Sequence, residues 1–174
     1  MAKSLNVDVE KCVERLKNRF PQFEEYKLEL ELPANKGKYS ALKLQNENPV
    51  SFSIYTIISQ NDGILLRFGD LMLYCNHPYI DNEFLEKIDL ILSDRLIALV
   101  NYKNVIYLKQ GIPSFSTYFV VNETDEFDDD KKRLRDTLIE LKRNQTGLKR
   151  LFSKYRGVTV LTDWSGSRFE KFEK

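Results

Sequence analysis

Cys75 and His77 stand two residues apart and set a nucleophile beside a base. On an extended strand the two would share a face, which gives them the reach for thiolate chemistry if a third group orients the imidazole. His77 is the single histidine of the chain, and the two cysteines, Cys12 and Cys75, have no Cys-x-x-Cys spacing. A zinc site would then fall mostly to carboxylates, an uncommon ligand set. The glycines are spread over turn and cap positions, with no Gly-x-Gly-x-x-Gly or phosphate-loop pattern among them. Glu25-Tyr26-Lys27 and Glu140-Leu141-Lys142 match the Glu-x-Lys part of a metal-dependent nuclease site, but a chain that is 30% charged supplies such triplets by chance. The expectation is a protein without enzymatic activity, metal or cofactor. A hydrolase built on Cys75 and His77 is the lesser alternative.

Charge is segregated more sharply than chemistry. The stretch from 123 to 130 holds Glu123, Asp125, Glu126, Asp128, Asp129 and Asp130, with Phe127 in its middle. It lacks the glycine and the spaced ligands of a calcium loop. Directly after it, Lys131, Lys132, Arg133, Arg135, Lys142, Arg143, Lys149, Arg150, Lys154 and Arg156 face only Asp136 and Glu140. The acids suit the start of a helix, where the dipole favours them, and they also suit recognition of a basic surface. The basic run suits nucleic acid, with Lys142, Arg143, Lys149 and Arg150 as the contact residues, although the upstream acids repel the same phosphates. A net charge of +1 gives no global field to draw in nucleic acid or a membrane.

The elements that must position these groups can be read from spacing. Asn6 or Asp8 can cap a helix whose Val9, Cys12, Val13, Leu16 and Phe20 recur on one face before Pro21, over about residues 7–20. Strict alternation of Tyr26, Leu28, Leu30 and Leu32 with Lys27, Glu29 and Glu31 predicts a half-buried strand. Tyr39 to Gln45 and Phe52 to Ile58 predict partners for it, and Asn61-Asp62-Gly63 predicts a hairpin turn. The middle of the chain, Ile64 to Leu108, reads as strand, turn at Gly69-Asp70, strand to Cys75, and a helix over 82–93 capped by Asp81. Leu96 to Tyr102 and Val105 to Leu108, separated by Lys103-Asn104, then predict a second hairpin.

Phe115 to Val121 predicts a further strand, and a helix over 130–156 follows the acids. Its Leu134, Leu138, Leu141, Gln145, Leu148, Phe152 and Tyr155 keep a seven-residue repeat, a face for packing on its own sheet or, over 134–155, for homo-oligomerisation. Val158 to Thr162 predicts a last strand, and 165–174 a flexible tail. The class is α+β: one domain over 1–174, a mainly antiparallel β-sheet with about three packed α-helices. Free cysteines, the absence of an apolar leader and the absence of a long apolar run predict a cytoplasmic protein with no membrane contact.

Between Ile64 and Asn104 the chain reads Leu66-Arg67-Phe68-Gly69, a second strand ending in Tyr74, Phe84-Leu85-Glu86-Lys87-Ile88, and Asp94-Arg95-Leu96-Ile97-Ala98-Leu99-Val100-Asn101-Tyr102-Lys103-Asn104. This pattern resembles small immunity proteins of bacterial toxin–immunity systems. The resemblance covers about a quarter of the chain and carries over no binding residues. It implies a bacterial, cytoplasmic protein that binds a cognate toxin, such as a nuclease, and blocks its active or substrate-binding surface. On the residues themselves, Glu123, Asp125, Glu126, Phe127, Asp128, Asp129 and Asp130 are the expected partner-binding set. A nucleic-acid-associated protein is the alternative.

Overall fold

The computed structural model describes residues 6–27, 37–48, 52–75, 77–121, 129–144 and 157–173. The class is α+β, as expected, but the strands form two antiparallel sheets, within two compact units spanning 1–89 and 90–174.

In the first unit, helix α1 (Val9–Arg19) starts at Asp8, whose side chain accepts from the Lys11 amide at 3.2 Å. Its buried Val9, Cys12 and Leu16 lie on one helical stripe, and α1 packs on the second and third strands of the sheet. Burying a leucine such as Leu16 fully stabilises by about 2 kcal/mol. The sheet runs β1 (Glu24–Glu25), β2 (Tyr39–Leu44), β3 (Ile54–Ser59), β4 (Gly63–Phe68) and β5 (Leu71–Cys75), each strand pairing with its neighbour in sequence. The turn at Asn61-Asp62-Gly63 sets Ser59 opposite Gly63, as its composition predicts. Gly69-Asp70 closes a two-residue hairpin with Phe68 opposite Leu71, and Gly69 takes the positive φ of 59° that such a loop favours. Ile54, Ile58, Ile64, Leu66, Phe68 and Leu71 form the buried face. The strand expected over 26–32 is described only at its start. Glu24 and Glu25 pair with Lys43 and Leu42, the Tyr26 amide donates to the Ala41 carbonyl, and 28–32 lie outside the described residues.

Helix α2 (Asn82–Leu92) is capped by Asp81, which accepts from the Phe84 amide at 2.8 Å. In the second unit, β6 (Leu96–Tyr102) is buried at every residue and pairs with β7 (Phe115–Val120) on one side and β8 (Val158–Thr162) on the other. Beyond β8 comes β9 (Glu170–Glu173). Helix α4 (Asp129–Asn144) presents Leu134, Leu138 and Leu141 to Ile97, Leu99, Phe119, Leu161 and Phe172. The described part of the heptad face is thus used within its own unit. Gln145, Leu148, Phe152 and Tyr155 lie outside the described residues.

Two expectations are corrected. Val105 to Leu108 is not a strand but the front of helix α3 (Val105–Gln110). The Asn104 side chain accepts from the amides of Ile106 and Tyr107 at 2.9 and 3.1 Å, and this cap outweighs the β-propensity of Val-Ile-Tyr. Residues 165–173 are not a free tail. The fully buried Asp163 accepts from the Ser167 hydroxyl at 2.7 Å, Asp94 accepts from the Ser165 amide at 2.7 Å, and the loop they hold delivers buried Phe172 to the α4 core.

Candidate functional site

The Cys75–His77 pair is not assembled. Cys75 ends β5 with its thiol buried and directed at the Tyr79 carbonyl, 3.6 Å away. His77 lies in the turn beyond, its Nε2 3.6 Å from the Asp81 carboxylate and its ring stacked on Tyr79 at 5.7 Å. Each has a structural partner of its own. A depression of about 110 Å³ beside them is lined by Leu73, Cys75, His77, Asp81 and Phe84, among others. Cys12 is the other thiol, and burial raises its pKa above the usual value. Among the described residues, no group of three or more His, Cys, Asp or Glu side chains is placed to hold a metal ion. No helix among them is long and apolar enough to cross a membrane.

The charged runs divide between the described and undescribed residues. Glu123, Asp125, Glu126, Phe127 and Asp128 lie outside the described residues. Asp129 is exposed at the start of α4. Asp130 has structural work: it accepts from the Val120 amide at 2.9 Å and pairs with Arg133 at 2.6 Å, tying the first turn of α4 to β7. On the basic side, Lys142 faces Glu170 at 3.6 Å, Arg143 belongs to the last turn of α4, and Lys149 and Arg150 lie outside the described residues. Neither charged set is gathered into one site by the described residues.

What the structure adds is α3 and the turn after it. Gly111, left-handed at φ 63°, ends the helix, its amide donating to Leu108 while the Ile112 amide donates to Tyr107. No residue of this Val-Ile-Tyr-Leu-Lys-Gln helix is buried. Val105 is 41% exposed, Ile106 64%, Ile112 49% and Phe115 38%. Lys103 lies over the Tyr107 ring at 5.9 Å and, with Lys109, puts positive charge beside the apolar groups. Single exposed apolar side chains are ordinary, but four lie in this one short segment, on and after a helix whose Tyr107 and Leu108 are only half-buried. Sequence reasoning missed it because a strand over 105–108 would have turned alternate residues inward. Asn104 before the run and Gly111 after it were the readable signals of a short capped helix.

Fold and site together define an α+β chain that presents an apolar helix rather than an assembled catalytic centre among its described residues. No protein-family model, curated protein or solved structure matches the chain.

Proposed function

We propose that this chain is a non-enzymatic protein-binding inhibitor of the immunity type, which neutralises a bacterial toxin by covering its active or substrate-binding surface. The observation that carries the reading is the outward apolar set of Val105, Ile106, Ile112 and Phe115 on and after a helix with no fully buried residue. Leaving these groups in water forfeits about 25 cal/mol for each Å² of apolar surface that a partner would cover. In this reading α3 is the apolar anchor. The acidic run Glu123, Asp125, Glu126, Phe127, Asp128, Asp129 and Asp130 attracts a basic region of the partner, because complementary charge speeds encounter and selects the partner.

The test is a tagged pull-down from bacterial lysate, run with and without nuclease, on the native chain and on an Ile106→Asp, Ile112→Asp variant. The expected result is a stoichiometric protein that survives nuclease, is lost from the variant, and is inhibited in its own activity by the purified native chain. If the captured protein disappears with nuclease, the alternative holds and Lys142, Arg143, Lys149 and Arg150 become the functional surface. If capture is unaffected by the variant, α3 is not the anchor.

A further inference from the structure

The edges of the two sheets are protected unequally. β1 is only two residues long, and both are acidic. β9 carries Glu170 and Lys171. On the free side of β7, the Val120 amide is taken by the Asp130 carboxylate. These are ordinary devices against unwanted strand pairing: shortness, charge and a covering group. β5 has fewer of them, the charges nearest to it being Asp81, Glu83 and Lys87 around the depression beside Leu73 and Tyr74. Its sequence, Leu71-Met72-Leu73-Tyr74-Cys75, contains no charge and no proline, and among the described residues no strand lies beyond it.

The register says which backbone groups this edge offers. In a two-residue hairpin the residues flanking the loop exchange both backbone hydrogen bonds, so Phe68 and Leu71 form a hydrogen-bonded pair. Alternation makes Leu66–Leu73 and Ile64–Cys75 hydrogen-bonded as well, and leaves Arg67–Met72 and Leu65–Tyr74 as the other kind. The N–H and C=O groups of Met72 and Tyr74 therefore point away from β4, toward the open edge. Their side chains share the sheet face opposite the buried one and are 39% and 65% exposed.

The geometry points to a second copy of this chain as the occupant of that edge, paired antiparallel about a two-fold axis through Leu73. A dyad there sets Met72 opposite the partner's Tyr74 and Tyr74 opposite the partner's Met72. Both pairs are of the hydrogen-bonded kind, so every outward amide and carbonyl of the two residues meets its complement. No like charges face each other across the axis, since residues 71–75 have none. The side chains match too. Within one chain the Tyr74 hydroxyl already lies 3.9 Å from the Met72 sulfur, and across the axis each thioether lies beside the other copy's ring, a favourable sulfur–aromatic contact. The product is one continuous sheet through both copies.

This register is testable residue by residue. Leu73 meets its own copy as a non-hydrogen-bonded pair, with Cα atoms about 4.5 Å apart, within disulfide reach. A full-length Leu73→Cys variant under mild oxidation is expected to give a covalent dimer on a non-reducing gel, whereas Met72→Cys, offset from its copy by two residues, and the native chain are not. Sedimentation velocity of the native chain over a concentration series is expected to show a monomer–dimer equilibrium. Tyr74→Lys is expected to raise its dissociation constant about tenfold or more with an unchanged circular dichroism spectrum. A native chain that stays monomeric throughout would overturn the proposal. So would a dimer that Tyr74→Lys leaves intact, or one that cross-links through Met72→Cys instead of Leu73→Cys.

Discussion

The sheet of the first unit is a meander in which every strand pairs with its neighbour in sequence, whereas the sheet of the second unit is assembled from distant segments around β6. The meander is closed by turns that can be read locally, Asn61-Asp62-Gly63 and Gly69-Asp70, and among the described residues no strand pairs with the outer side of β5. The second sheet needs β7 from one side of the α4 sequence and β8 from the other, and it closes its β7 edge with a carboxylate borrowed from α4. Local pairing costs little loop-closure entropy, while distant pairing must be held by packing and by specific polar ties. The second sheet should accordingly depend more on single non-local contacts than the first.

The largest test of that contrast compares two glycines. Gly157 sits at φ +88°, where an added Cβ would fall on the backbone carbonyl oxygens of Tyr102 and Lys103. Neither can move without distorting the end of β6, so Gly157→Ala is expected to cost about 3 kcal/mol or more in denaturant unfolding. Gly69, at φ +59°, has its added Cβ meeting the Phe52 ring, a side chain that can turn. Gly69→Ala is expected to cost only about 1–2 kcal/mol. Equal costs for the two would break the comparison.

Asp130→Ala comes next. It removes the acceptor of the Val120 amide and unpairs Arg133, at a cost of about 1–2 kcal/mol. Hydrogen exchange at the Val120 amide should accelerate in the variant, while the β5 amides keep their native rates. Unchanged exchange at Val120 would show that the carboxylate does not guard the β7 edge.

The smallest effect lies in the first unit. The Lys11 backbone amide, followed by the Lys11 side chain, holds the Asp8 carboxyl below its usual 3.8. A carboxylate whose folded pKa is depressed stabilises the fold above its unfolded pKa, and that contribution is lost as pH falls through the folded one. Fraying of α1 should therefore increase below about pH 4, the ordinary carboxylate range. Asp8→Asn keeps a capping oxygen and should remove this pH dependence, as read from α1 amide exchange in acid. A native chain whose α1 exchange shows no acid-dependent step would remove Asp8 from the pH response.

Much of the fold was legible where neighbours in sequence decide the conformation. The helix caps Asp8 and Asp81, the two first-unit turns and the strand runs of β2 to β8 all follow from residue type and period. The reading failed where two local signals competed or where burial was needed to choose. Over 105–108, β-branched residues argued for strand and Asn104 for a helix cap, and only the cap finds its hydrogen bonds. At 170–173 the charged flanks suggested a tail, yet Phe172 completes the core under α4. Of the candidate site residues, Asp130 was chosen for its charge, but its position gives it a role at the β7 edge. The α3 surface was illegible because exposure belongs to the finished fold and not to the residue type.

By itself the sequence determined the local events: where helices start, which turns close, and which face of each repeat is apolar. Caps, turns and periodicity act over a few residues, so their energies are present before any long-range contact forms. Tertiary structure decided how the strands divide into two sheets, which strands end each sheet, and which apolar residues remain in water. Those outcomes rest on contacts between segments far apart in the chain, such as Asn101 donating to Thr159 at 2.8 Å across β6 and β8. No window of the sequence contains both partners.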